Sequence, residues 1–204
     1  MSVGSGRAAV FLDRDGVLNE LVLDPVSGVP EAPLQVQDVR LVPGAAAAAV
    51  GLQRLGFLLV CVTNQPAAAK GRISTAELLA VHDRVLRLLR AGGVELAASR
   101  ICLHHERGVV PGLAGPCECR KPAPGMLLDV AGELEIDLAR SWMVGDTDVD
   151  MAAGRAAGCS TVLIEHPGSV HKRFHAVSAD LVAGSLAEAV GDPGIGMQET
   201  VRSN

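Results

Sequence analysis

Asp13 and Asp15 stand two residues apart at the end of an apolar run, in "VFLDRDGVLNE" (Val10 to Glu20), with Gly16 next to permit a turn. Two carboxylates held that close repel each other, and a divalent cation relieves the repulsion; hard oxygen donors with open positions suit Mg²⁺. Asp146, in "MVGDTDVDMAAG", supplies a third carboxylate after another apolar run, and Asp150 follows four residues on to hold the ion's waters or its ligands. Phosphoryl transfer is the chemistry this set can do. With charge cancelled by the metal, Asp13 can attack phosphorus and become an aspartyl phosphate. Asp15 is placed to protonate the departing alkoxide and then to activate the hydrolytic water, a dual role that favours a raised pKa. Thr63 can offer its hydroxyl and neighbouring N–H groups to the transferring oxygens, and Lys121 can meet their remaining charge.

These groups need a scaffold that delivers them to one place. The apolar runs "AVFL", "FLLVCV", "SWMV" and "TVLI" alternate with helical patterns, which predicts an α/β fold: an open parallel sheet with helices on both faces. Helices are expected after Pro43 through "GAAAAAVGLQRLG", from Ser74 where "STAE" forms a capping box with Glu77, over "PGMLLDVAGEL" and "DMAAGRAAG", and from the "SLAE" box at Ser185 to Val190. Ligands of such sheets bind beyond the carboxyl ends of the strands, where Asp13 and Asp15, Thr63 and Asn64, and Asp146 all fall. Alone, D-x-D is as readily an Asx turn, and "TNQ" or "GD" a plain loop. Together, each piece at a strand end, they argue for a site.

The 204 residues suit one domain, over 1–190, with the turn-rich "GDPGIGMQETVRSN" (191–204) as a flexible tail. With 18 basic against 23 acidic residues, and only three Phe and one Trp, no basic stripe or stacking platform exists for nucleic acid. No apolar stretch approaches the ~18 residues of a membrane span, and the N-terminal run is too short for a signal peptide, so a cytoplasmic protein without a membrane partner is expected. In that reducing setting, clustered cysteines point to metal. Cys102-x-His104 and Cys117-x-Cys119 offer three thiolates and one imidazole, the inventory of a closed structural Zn²⁺ site; His105 could replace His104, and a disulfide is the alternative. The Gly- and Pro-rich "ERGVVPGLAGP" cannot hold its shape by packing, so the metal would fix the backbone that presents Arg120 and Lys121 to phosphate. Cys61 and Cys159 read as buried free thiols.

The motif order DxD, T, K, GDxxxD resembles the haloacid dehalogenase superfamily of aspartate-nucleophile phosphatases. "FLDRDGVLN", "VTNQ", "CLHH", "CECRKPAPGM" and "MVGDTDVDMAAG" are similar to the D-glycero-D-manno-heptose 1,7-bisphosphate phosphatases and the related histidinol-phosphate phosphatases. That resemblance implies Asp13 as nucleophile and Asp15 as acid and base. It implies Asp13, the backbone carbonyl of Asp15 and Asp146 as Mg²⁺ ligands, and Thr63, Asn64, Arg120 and Lys121 as the phosphate clamp. The intervals from Asp15 to Thr63 and from Thr63 to Lys121 leave no room for a large cap, so a capless monomer is expected. Where relatives commonly read "TNQSGIARG", this chain reads "TNQPAAAKG": Pro66 removes an N–H, and Lys70 takes the arginine's place as a point charge. Thr147 stands where many heptose phosphatases carry lysine. Gln65, Lys70 and Thr147 are therefore candidate contacts for the rest of a phosphorylated small molecule. The expected substrate is the 7-phosphate of a heptose 1,7-bisphosphate. The competing expectations are another phosphomonoester such as histidinol phosphate, or a phosphosugar-binding module without turnover.

Overall fold

In a computed structural model, which describes residues 6–174 and 178–191, the first strand is the centre of the molecule. β1 (Ala9–Leu12) is buried along its whole length. Its alternation divides the core: Val10 and Leu12 pack into one layer, Ala9 and Phe11 into the other. That is the pattern of a strand covered on both faces. The remaining sheet strands are β4 (Leu58–Asn64), β5 (Ala98–Cys102), β6 (Trp142–Gly145), β7 (Ser160–Ile164) and β8 (Leu181–Ala183). All pair in parallel, in the order β5-β4-β1-β6-β7-β8. β1 bonds to β4 on one side and β6 on the other, with Leu12 level with both Cys61 and Val144, so their carboxyl ends open together.

The first layer is closed by α1 (Ala45–Arg54), α2 (Thr75–Ala91) and α5 (Leu186–Gly191), through residues such as Leu52, Val85 and Leu186. The second is closed by α3 (Gly125–Leu134) and α4 (Asp148–Ala157), through Leu127, Val130 and Ala153. The capping box of α2 forms as expected: Ser74 Oγ accepts from the Glu77 N–H at 3.2 Å, and the Glu77 carboxylate accepts from the Ser74 N–H at 3.0 Å. The box at Ser185 is half made, because the Glu188 carboxylate accepts from Gly184 instead. Helix α4 starts two residues earlier than the apolar pattern suggests, at Asp148, which makes Thr147 its cap.

Strands β5 and β8 and a small antiparallel hairpin, β2 (Val22–Leu23) with β3 (Pro30–Glu31), lie outside the four strands read from sequence. The hairpin is tied to its surroundings by Asp24–Arg72 and Glu31–Lys172 ion pairs, each 2.6 Å. Among the described residues, the intervals around Thr63 hold only this hairpin, a 3-10 turn, core helices and strands, and the Cys/His loop. The expected tail falls, after Gly191, outside the described residues. No helix among those described is long and apolar enough to cross a membrane.

Candidate active site and metal centre

Asp13 follows β1 directly, Asp146 follows β6 directly, and Asp150 sits in the first turn of α4. One oxygen from each lies within 4.8 Å of the others, and all three residues are buried. Two glycines make this approach possible. A Cβ on Gly16, where φ is +80°, would lie 2.2 Å from Asp146 Oδ2, and one on Gly145 would lie 2.2 Å from Asp150 Cβ. Among the described residues, the cation inside the cluster is Lys121. Its Nζ stands 2.7 Å from Asp13 Oδ1 and 2.6 Å from Asp150 Oδ1, the latter an ion pair without hydrogen-bond alignment, and it donates to the Val62 carbonyl at 2.8 Å.

One ammonium cannot balance three carboxylates. Burial lifts the pKa of Asp13 to about 6; Lys121 draws it down while Asp150 and Asp15 push it up. Asp146 is lifted well above the carboxylate range by burial, then by Asp13 and Asp150. Burial also works against the charge on Lys121, yet Asp13 and Asp150 outweigh it and hold the ammonium protonated. Convergent buried carboxylates short of positive charge fit a hard, oxygen-seeking divalent cation such as Mg²⁺.

Asp15 faces a different set of partners. Its carboxylate accepts from Arg14 Nη2 at 2.9 and 3.0 Å, Asn19 Nδ2 at 2.9 Å and Gln65 Nε2 at 2.5 Å. Burial raises its pKa, but the Arg14 charge and these hydrogen bonds outweigh burial and hold it below the ordinary range. The raised pKa expected from its role is therefore not found, because Arg14, Asn19 and Gln65 all donate to the carboxylate and favour the anion. Nor is its side chain among the converging metal donors.

Several residues read as substrate contacts are committed elsewhere. Gln65, 2% exposed, gives its amide to Asp15 and to Thr63 Oγ1 at 2.9 Å, where the Thr63 oxygen accepts and keeps its O–H to donate. Asn64 brackets the Lys121 backbone, accepting from its N–H at 3.1 Å and donating to its carbonyl at 2.9 Å. Thr147 donates through Oγ1 to Asp150 at 2.5 Å. Asn64 and Thr147 nonetheless line the cleft over the carboxylates, about 550 Å³ in volume, as do Lys70 and Arg120, and Lys172 joins them there. Sequence reasoning missed four residues. Arg14 and Asn19 stood inside the quoted "DRDGVLN". Lys172 and Ser169, whose hydroxyl donates to Asp146, lie after β7 at the fourth strand end.

The Cys/His cluster assembles as the spacing predicts. Cys102 Sγ lies 3.7 Å from Cys117 Sγ and 3.1 Å from Cys119 Sγ, with Cys117 and Cys119 3.4 Å apart. His104 Nδ1 is 3.9 Å from Cys102 Sγ and 3.4 Å from Cys119 Sγ. A tetrahedral zinc with Zn–S arms of ~2.3 Å has S···S edges of about 3.8 Å, so the donor set fits that ion. Cys102 is the last residue of β5, which roots the cluster in the sheet. His105 Nδ1 accepts instead from the Arg107 N–H at 3.0 Å. Arg120 donates to the His104 carbonyl at 3.2 Å, linking the cluster to the cleft. Cys61 and Cys159 are buried free thiols, each pushed up to about 12 by burial.

A parallel sheet whose central strands end in carboxylates around a buried lysine defines a haloacid dehalogenase-like hydrolase fold. The comparisons agree. The HAD-hydrolase-like family model matches residues 118–189. The D-glycero-beta-D-manno-heptose-1,7-bisphosphate 7-phosphatase of Yersinia pestis is 37% identical over 180 residues, covering 88% of this chain and 92% of that protein. The protein of the same name in Escherichia coli K12 is 36% identical, covering 88% and 90%. Among solved structures, the D,D-heptose 1,7-bisphosphate phosphatase of B. bronchiseptica, complexed with magnesium and phosphate, superposes with a TM-score of 0.70 at 31% identity, covering 90% of this chain and 96% of that one. The chain belongs to this phosphatase family of the haloacid dehalogenase-like hydrolases, and it is a phosphoric monoester hydrolase.

Proposed function

We propose that this chain removes the 7-phosphate of a D-glycero-D-manno-heptose 1,7-bisphosphate, with Asp13 as nucleophile and Zn²⁺ held by Cys102, His104, Cys117 and Cys119 as a structural ion. The observation that carries the reading is the buried Asp13–Asp146–Asp150 cluster around Lys121, facing a cleft with a cationic far wall. Asp13, Asp146 and the Asp15 backbone carbonyl would hold Mg²⁺, with Asp150 behind, and the ion would supply the positive charge that lets a carboxylate approach a phosphate dianion. Asp13 then bonds to phosphorus as the sugar oxygen leaves, and Lys121 meets the charge on the transferring oxygens. A dianionic phosphate arriving beside Asp15 raises its pKa, so that the carboxylate takes up a proton from solvent and then gives it to the leaving oxygen. Water attacks the aspartyl phosphate, Asp15 takes the proton back, and inorganic phosphate departs.

The cationic wall favours a second phosphate at the other end of the substrate. Lys70, Arg120 and Lys172 set three positive charges against two negative ones, Glu31, which pairs with Lys172, and Asp148. Histidinol phosphate would bring an ammonium there. The test compares kcat/KM on heptose 1,7-bisphosphate and histidinol phosphate with Mg²⁺, beside Asp13→Asn. The bisphosphate is expected to lead by at least about tenfold, the value of ~1.4 kcal/mol of selective contact. Equal turnover of the two substrates would remove the substrate assignment, and an active Asp13→Asn would remove the mechanism.

A further inference from the structure

Asp146 differs from the two other carboxylates of the cluster. Lys121 is within ion-pair distance of Asp13 and Asp150, whereas among the described residues Asp146 has no ion-pair partner. Its partner is a neutral hydroxyl: Ser169, 0% exposed, donates from Oγ to Asp146 Oδ2. Ser169 lies in the turn Pro167–Lys172 after β7, and its own N–H donates to the His166 carbonyl at 3.0 Å. Gly16 approaches the same oxygen. A Cβ there would stand 2.2 Å from Asp146 Oδ2 and 3.2 Å from Ser169 Oγ. The carboxylate oxygen is thus crowded by a glycine and a serine together.

We propose that Ser169 is a positioning residue for the catalytic metal, its hydroxyl fixing the orientation in which Asp146 meets Mg²⁺. The inference rests on reading Asp146 as a metal ligand. A hydroxyl suits this task better than a cation, because it orients the carboxylate without cancelling the charge the ion needs. Partners that orient metal ligands are worth about 10–100-fold in metal affinity. The turn is itself held at both ends of the hairpin side: His166 Nε2 lies 3.3 Å from Glu20 and Lys172 Nζ lies 2.6 Å from Glu31.

The test measures Mg²⁺ binding by isothermal titration calorimetry on the zinc-loaded full chain without substrate, for the parent, Ser169→Ala, Ser169→Thr, Ser169→Val and Asp146→Asn. Thr and Val have nearly the same volume, so their difference isolates the hydroxyl from packing. Expected is a Kd within about threefold of the parent for Thr, and weakening by roughly 10–100-fold for Ala and Val. Turnover of Ser169→Ala is expected to recover at saturating Mg²⁺ with KM for the phosphate ester unchanged. Ala binding Mg²⁺ as tightly as the parent overturns the proposal, as does equal weakening in Thr and Val. Should Val fail to fold, Ala against Thr decides. If Asp146→Asn binds as the parent does, the metal assignment itself fails, which is a separate result from a silent Ser169.

Discussion

Replacing Lys121 by Met removes a 2%-exposed ammonium and leaves its carboxylate partners in place. At an effective dielectric near 20, a unit-charge pair at the 2.7 Å separation of Lys121 and Asp13 amounts to roughly 6 kcal/mol before desolvation is counted. Asp150, at 2.6 Å on the other side, adds a second pair of the same order. Burial of the ammonium offsets much of this, and removing one partner of a buried pair costs about 3–5 kcal/mol net. For a chain of this length, at ~2–4 °C per kcal/mol, Tm should fall by roughly 6–20 °C. Calorimetric melts of the metal-free proteins measure it. Adding Mg²⁺ should narrow the gap, since the ion supplies positive charge to the same oxygens. Turnover at saturating Mg²⁺ should fall by about 10²–10³-fold, the loss typical of removing a donor to the transition state. A metal-free Lys121→Met melting within about 2 °C of the parent, or turning over within about threefold of it, would show that this lysine neither balances the cluster nor serves the reaction.

Two further outcomes follow from geometry outside the carboxylate cluster. Stripping zinc with a chelator should abolish most activity even with Mg²⁺ in excess, because Arg120 is held on the His104 carbonyl and Lys121 follows it; one zinc per chain should restore it, and a zinc-free preparation with full turnover would refute the link. His82, on the buried face of α2 with Nε2 3.0 Å from Ser99 Oγ, is pulled down to about 4, first by burial and then by Arg14, against the weaker upward pull of Asp15 and Asp83. Between pH ~6.5 and ~4 the unfolded chain thus binds a proton that the folded chain refuses, so this contribution is intact above pH ~6.5 and is lost on acidification, by roughly 3 kcal/mol at most. Denaturant titrations at pH 7 and pH 5 should give a smaller acid loss for His82→Gln than for the parent, and equal losses would remove the imidazole from the account.

What could be read in the chain beforehand was what obeys a local rule. Val10 and Leu12 alternate with Ala9 and Phe11, so β1 announced itself, and the carboxyl-end rule then brought Asp13, Asp146 and the neighbourhood of Lys121 together. Strand β5, "ASRIC", escaped because an edge strand can carry Ser99 and Arg100 without a continuous apolar run, and β8 is only three residues long. Side-chain allegiance was harder. Gln65 and Asn64 lie next to the cleft in sequence, but an amide can bond outward to a ligand or inward to a neighbour, and here both turn inward, to Asp15 and to the Lys121 backbone. The pKa of Asp15 follows the same logic: its role argues for a raised value, while Arg14, inside the same motif, turns its guanidinium onto the carboxylate and holds it down.

The sheet order also sets a schedule for biosynthesis. β1 leaves the ribosome before the other described strands of its sheet, yet one of its two neighbours, β6, is made only when Trp142–Gly145 emerges, far later in the chain. Until then one long edge of the most apolar strand lies unpaired, the kind of surface that invites aggregation. Nascent chains released before β6 should therefore depend on chaperones for solubility, and no such partial product can bring Asp13 together with Asp146.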